Sequence, residues 1–362
     1  MSVKGREVRK ILLCALLPIG DTLFATPAIH AVRARYPHAE VVALTYPTNG
    51  RILLNNPDVD RIWFAPTRAA PQGARGLLTL LTAIRRAQFD LCIEFSNYNY
   101  GLALWGGVRR DLTMRLPALW WIRPGAGRAW RRLHAVEHYA DVVRRAAIPI
   151  SDWRLRVYAT PAETTACERL LHDYGVQPAE PLIGVHPGGE GLWGRKKWPP
   201  RDFAQVADEL YARCGMKIVV LGGTEDAFLA AEVARRSSAP VLNLAGQTTL
   251  GETAALAARC ALFVGNDSSP LHIAVAAGTR VVGIYGLTDP RSYRPWLPGG
   301  QAGRDYAVVQ STAPCAGCFP LIGGITLLGW FGCVRCDALA SVTPAQVIAA
   351  ALPLLDAARA EP

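Results

Sequence analysis

The sequence predicts an α/β protein made of two doubly wound halves, each a parallel sheet with helices on both faces. Three observations carry this expectation. Short apolar runs alternate along the chain with longer segments of helical period, the pattern of parallel strands and crossover helices. The runs ending at Leu16, His186 and Val264 each lead through a loop into a helix, and open α/β sheets bind ligands at such strand ends. With 362 residues, 51% of them hydrophobic, the chain can bury two cores of ordinary size.

In the first half, Ile11–Leu16 reads as a buried strand, Gly20-Asp21 as the turn after it and Thr22 as the start of a helix. Val41–Thr45, Arg61–Phe64 and Asp90–Phe95 read as further strands and Gly76–Arg86 as a helix. Thr160–Gln177 has a helical pattern that runs into the proline-marked stretch Pro178–Pro181, the expected domain junction. Residues 1–177 and 178–340 are then the two domains. In the second, Leu182–His186, Lys217–Leu221, Val241–Asn243, Leu262–Val264 and Val281–Tyr285 read as strands. A Gly-rich loop spans Gly188 to Gly194, followed by Arg195-Lys196-Lys197 and a helix from about Pro200. Within residues 341–362, Thr343 and Pro344 start a closing helix that runs to Ala358.

The turn after Val264 is the richest in chemistry. Asn266, Asp267, Ser268 and Ser269 offer capping side chains and backbone N–H groups, Pro270 suits a first helical turn, and His272 points back toward the cap. Such a helix start is an anion and ribose site in one reading and an ordinary capped helix in the other. Gly188 and Gly189 open a loop that a phosphate can approach, and Lys196 adds a point charge. Asp267 is better suited to orient Lys196 or backbone N–H groups than to touch phosphate, because adjacent anions repel. Glu225, after the strand end Leu221-Gly222-Gly223, suits a ribose hydroxyl or a helix cap. Asp21, on a rigid strand-to-helix turn, suits a general base or an N-cap.

Gly20-Asp21-Thr22 followed by Thr26-Pro27-Ala28, Lys196 ahead of Trp198-Pro199, and Asp267-Ser268 with His272 resemble the three signatures of glycosyltransferase family 9, which includes the lipopolysaccharide heptosyltransferases. The resemblance covers nearly the whole chain; Ser269 stands where the family has Gly. It implies the GT-B fold, two Rossmann-like domains facing a central cleft that is the expected active site, with the last helix crossing back toward the first domain. It also implies Asp21 as general base, with Gly188, Gly189, Lys196, Glu225, Asp267, Ser268, Ser269 and His272 around a nucleotide-sugar donor and no catalytic metal. The implied reaction is inverting transfer of heptose from ADP-heptose to a lipopolysaccharide inner-core (lipid A-core) acceptor. A protein acceptor such as an autotransporter adhesin, or a non-catalytic GT-B assembly subunit that binds nucleotide or glycan, are the alternatives. Asp58-Val59-Asp60 fits the Asp-x-Asp pattern of metal-dependent sugar transferases but sits on a polar approach to a short strand. No Walker loop or GxGxxG follows the first strand, which argues against a kinase or a dehydrogenase.

A net charge of +10 favours anionic partners; without a zinc-finger helix, an RNA-binding aromatic signature or a basic recognition helix, nucleic acid is not expected. Arg109, Arg110, Arg115 and Arg123 mix with Trp120 and Trp121, a composition that grips phosphates and settles at a lipid headgroup boundary, or that packs tryptophans into the domain core. The apolar run Ile11–Ile19 is too short for a secretory signal, and no stretch reaches the ~20 apolar residues of a membrane span. The expectation is a cytoplasmic protein, attached peripherally to the inner face of the cytoplasmic membrane. Cys315-x-x-Cys318 and Cys333-x-x-Cys336, 14 residues apart, have the spacing of a closed four-thiolate site, structural and occupied by zinc or iron. The apolar stretch between the pairs needs cover from a second copy in a homo-oligomer, a membrane or the second domain.

Overall fold

The computed structural model describes residues 7–66, 73–95, 107–108, 111–113, 133–189, 196–317 and 337–360. They divide into two compact units, Met1–Tyr158 and Ala159–Pro362. The first contains β1 (Lys10–Cys14), α1 (Ile19–Phe24), α2 (Thr26–Arg35), β2 (Glu40–Thr45), β3 (Arg61–Phe64), α3 (Gly73–Ala87), β4 (Leu91–Glu94), β5 (Asp111–Thr113) and α4 (Ala135–Arg144). The second contains α5 (Pro161–Asp173), β6 (Leu182–His186), α6 (Pro200–Cys214), β7 (Lys217–Val220), α7 (Ala227–Arg236), β8 (Val241–Asn243), α8 (Leu250–Ala258), β9 (Cys260–Asn266), α9 (Ser269–Ala276), β10 (Val281–Tyr285), α10 (Pro290–Tyr293), β11 (Tyr306–Gln310) and α11 (Pro344–Ala360).

Each unit has one parallel sheet, ordered β3-β2-β1-β4-β5 in the first and β11-β10-β9-β6-β7-β8 in the second. The expected pair of doubly wound sheets is what the chain forms. Central strands such as β6 are buried throughout, as strands with helices on both faces must be, and this is why they read as unbroken apolar runs. Strand order reverses between β1 and β4 and again between β6 and β9. Connections leave these neighbours in opposite directions, so the crevice for a ligand lies beyond their carboxyl ends. In the second unit those ends are His186 and Gly265, which are in register.

Three boundaries differ from the sequence expectation. The units divide at Tyr158 and Ala159, before α5 and not after it at Gln177. That helix starts with a capping box of Thr160 and Glu163 and is tied to the second unit, where Glu168 pairs with Arg259 at 2.8 Å and α5 packs on α8. Asp21 lies inside the first turn of α1, because Pro18 fixes the N-cap and the helix starts three residues earlier than expected. Edge strands β5 and β11 are additional; β5 has three residues and β11 is mostly half-buried. The closing helix α11 packs on α6 and on β9, β10 and β11 of its own unit, burying Val347, Ala351, Leu354 and Leu355. Among the described residues, no helix is long and apolar enough to cross a membrane.

Among the described residues Trp198 is the largest fully buried side chain. Its ring meets Phe203 edge-on, and its indole N–H donates to Val342 O at 3.0 Å, just ahead of α11. Trp198→Ala therefore removes both a large packed volume and a buried hydrogen bond. Its expected cost is about 3–5 kcal/mol, read as a lower urea midpoint; a loss below about 1 kcal/mol would mean that the neighbours close over the gap.

Candidate active site

The two strand-order reversals each carry a group of candidate site side chains. In the first unit, the loop after β1 leads to Asp21 in the first turn of α1. The Tyr139 hydroxyl on α4 donates to Asp21 Oδ1 at 2.8 Å, and the tyrosine ring packs edge-on against Phe95. Position along α4 is set by its start, where Val136 N–H donates to His134 Nδ1 and His134 N–H donates to Glu137. The His134 ring in turn meets Phe24 of α1 edge-on. His138, one residue before Tyr139, is pushed down to about 4 by burial and stays neutral near pH 7. The half-buried Asp21 carboxylate is thus held on a rigid support.

β1 ends in Cys14, and β4 carries Cys92 and ends in Glu94; all three are fully buried, with the two thiols 3.6 Å apart. Among the described residues this is the group whose ligand atoms, within 4.8 Å of one another, have the make-up of a metal site. The expected four-cysteine site is different: Cys315 is described and half-buried, while Cys318, Cys333 and Cys336 lie outside the described residues. Arg109, Arg110, Arg115, Trp120, Trp121 and Arg123 also lie outside them. Both Asp-x-Asp carboxylates serve the fold. Asp58 sits 3.1 Å from His30 Nδ1, and Asp60 accepts from Val41 N–H and from Arg33.

In the second unit, Lys196, Asp267 and His272 come together at the end of β9. Lys196 Nζ donates to Asp267 Oδ2 at 3.0 Å, Thr288 donates to the same oxygen, and His272 Nε2 lies 3.3 Å from Oδ1. Burial pushes the Asp267 carboxyl up, but the Lys196 charge and the bonds from His272 and Thr288 outweigh it and hold the group well below the ordinary carboxylate range. Of the two partners expected for Asp267, Lys196 or backbone N–H groups, the carboxylate takes Lys196 on one oxygen and lies against His272 on the other. Beside them α9 begins at Ser269 with Ser268 at the N-cap, and no side chain caps it.

Asn266, fully buried, ties this cluster to the Gly-rich loop. Its amide donates to Pro187 O and Gly188 O, and its oxygen accepts from Trp198 N–H. Gly188 has no room for a side chain, since a Cβ there would meet the Asp226 carboxylate. Gly189 has φ +149°, a conformation that L side chains rarely adopt. Glu225 is exposed. The neighbouring Asp226, which sequence reasoning missed, is buried and lies 3.2 Å from His186 Nε2. Thr288 and Tyr139 were missed as well, because their roles arise from tertiary contacts with residues far along the chain.

A family model for glycosyltransferase family 9 (heptosyltransferase) matches residues 109–318, more than half of the chain. The chain belongs to that family. The match includes Gly188, Lys196, Asp267 and His272; Asp21 precedes it. Lipopolysaccharide heptosyltransferase 3 of Escherichia coli K12 is 28% identical over 298 residues, covering 76% of this chain and 82% of that one. A family 9 glycosyltransferase from Veillonella parvula superposes with a TM-score of 0.76 at 20% identity over 97% of this chain and 98% of the other. The ADP-heptose heptosyltransferase II of E. coli gives 0.72 at 21% identity, covering 97% and 100%. These similarities establish the GT-B fold, and membership of family 9 makes the protein a glycosyltransferase.

The Asp267 cluster gives the family 9 chain a predictable acid response. A carboxyl held low in the folded state contributes stability above its unfolded value near 4 and loses it as pH falls through the folded value. Lys196→Met removes the main opposing charge, so the folded value rises and acid unfolding begins at higher pH. Circular dichroism during acid titration measures this; coincident curves would show that His272 and Thr288 suffice.

Proposed function

We propose that this glycosyltransferase moves a heptose from ADP-heptose to an inner-core lipopolysaccharide acceptor, with inversion at the anomeric carbon and without a catalytic metal. The observation that carries the reading is the Lys196–Asp267–His272 cluster beside the uncapped start of α9, in a chain whose named relatives are heptosyltransferases. A lysine and a helix N-terminus supply the positive charge that a departing diphosphate requires. Use of Asp58 and Asp60 by the fold supports a reaction that does not draw on that pair for a metal.

In the proposed step, an acceptor hydroxyl oxygen bonds to the anomeric carbon from the face opposite ADP. The carbon–oxygen bond to the β-phosphate breaks, its electron pair leaves with ADP, and the hydroxyl proton passes to Asp21. Tyr139 fixes the orientation of that carboxylate. Lys196, the N–H groups at Ser268 and Ser269, and the loop at Gly188 and Gly189 receive the diphosphate, while Glu225 receives a ribose hydroxyl. Four thiolates at Cys315, Cys318, Cys333 and Cys336 would hold a structural zinc or iron, which leaves no open position for chemistry. The arginine and tryptophan segment from Arg109 to Arg123 serves the anionic acceptor and the membrane surface that carries it.

Asp21→Asn is expected to lower kcat by about 10²–10⁴ while ADP still binds. Tyr139→Phe, which removes one hydrogen bond to a charged group, should cost about tenfold in kcat. Mass spectrometry of products from ADP-heptose offered with truncated lipopolysaccharide, an adhesin protein or water tests the whole reading. Glycolipid gaining one heptose is the expected result, undiminished by EDTA. Heptose on the protein alone would replace the acceptor, and nucleotide binding without transfer would leave an assembly subunit.

A further inference from the structure

Three buried side chains with metal-ligand chemistry meet in the first sheet, and the proposed transfer uses none of them. Cys14 ends β1 and pairs in register with Glu94, the last residue of the neighbouring parallel strand β4. Register partners project to the same face of a sheet, and Cys92, two residues before Glu94, shares that face by the strand period of two. Cys14, Cys92 and Glu94 are each 0% exposed. Their ligand atoms lie within 4.8 Å of one another, and the two sulfurs are 3.6 Å apart.

The sulfur separation fits an ion and not a covalent bond. A disulfide requires sulfurs about 2.0 Å apart. Two thiolates on one zinc ion, with Zn–S of about 2.3 Å and a tetrahedral angle, stand about 3.8 Å apart, and a zinc-bound carboxylate oxygen lies about 3.5 Å from each of them. The strands are already hydrogen-bonded at this point, with Phe95 N–H donating to Cys14 O at 3.0 Å, so the three groups close on an ion by side-chain torsion alone. A weak S–H···S bond accounts for the sulfur contact, but it does not call for a carboxylate at the same place. The donor set also selects the ion. Magnesium and calcium take oxygen shells, whereas zinc takes cysteine and glutamate together.

We propose that Cys14, Cys92 and Glu94 form a buried structural site for zinc or a similar thiophilic divalent cation, which joins the carboxyl ends of β1 and β4. Binding releases the two thiol protons to solvent. With Glu94 bidentate, the set supplies four donor atoms and leaves no open position, and full burial keeps substrate away from the ion. The site shares no residue with the set Cys315, Cys318, Cys333 and Cys336. Its place bears on Asp21: the loop after β1 leads into α1, and Phe95, next to Glu94, packs on the Tyr139 ring whose hydroxyl bonds Asp21.

Metal content of the full chain, refolded from guanidinium chloride under reducing conditions with zinc alone and then gel-filtered in EDTA, tests the site. Wild type should retain about one zinc per chain more than Cys14→Ala or Cys92→Ala, and Glu94→Gln should lose the same ion to the chelator. Cys260→Ala, which removes a buried thiol from the second sheet, should keep the wild-type content. Equal zinc in wild type, Cys14→Ala and Cys92→Ala overturns the site, and zinc retained in full by Glu94→Gln overturns the three-ligand set. Cadmium NMR of wild type refolded with cadmium alone keeps the test decisive if a core variant fails to fold. Cadmium resonances move with the number of sulfur ligands, so a two-thiolate signal is expected, apart from that of any four-thiolate site. Absence of the two-thiolate signal overturns the proposal.

Discussion

A single buried amide organises the second unit's candidate site. Asn266 ends β9 where the strand order reverses, and its side chain bonds to Pro187 O, Gly188 O and Trp198 N–H. Each of these backbone groups would cost about 1–3 kcal/mol if buried without a partner. Satisfying them with one side chain fixes Gly188 and Trp198 relative to the sheet. Lys196, two residues before Trp198, is thereby delivered to Asp267. Trp198 itself is clamped by Phe203 and by Val342 O, so the loop's far end is anchored in the hydrophobic core.

Two buried carboxylates at a site proposed for an anion would repel it if they stood alone, yet their surroundings resolve the conflict. Asp267 faces Lys196, His272 and Thr288; Asp226 faces His186 and Gly223 N–H. Neither stands alone at the helix start. Each carboxylate holds a cation or an imidazole in place at the strand ends, where positive charge and N–H groups collect. Tight backbone contacts serve the same arrangement, since a Cβ on Gly188 or Gly222 would collide with Asp226. Gly188 and Gly222 are required by the buried carboxylate itself.

The central strands were legible because burial on both faces leaves an unbroken apolar run, as in Ile11–Leu13 and Leu182–Val185. The sequence left Asp267 to orient either Lys196 or backbone N–H groups, and the structure pairs it with Lys196. The Asp226 role was not legible: Glu225 and Asp226 are adjacent acids, and only the geometry of the short turn Thr224–Asp226 exposes one and buries the other. Tyr139 was hidden for another reason. Its partner Asp21 lies 118 residues away, and no local pattern announces a hydrogen bond across that separation. The contact division falls before α5 and not after it, because that helix packs on α8 of the second unit, whereas prolines mark only where a chain turns.

The start of α9 shows how function is written into a local cost. Ser is a favoured N-cap, and a missing side-chain cap costs a helix about 1 kcal/mol. Here the residue is present and the cap bond is not, because the Ser268 hydroxyl is turned toward His186 and Asn266 O. Stability alone would turn it back. The helix is instead held by apolar packing, with Leu271, Ile273 and Ala274 fully buried, so its first N–H groups need no side-chain acceptor to keep it folded. Under the proposed donor reading, an anion of the right size would meet N–H groups that are already oriented, and that contact would add to the affinity for it.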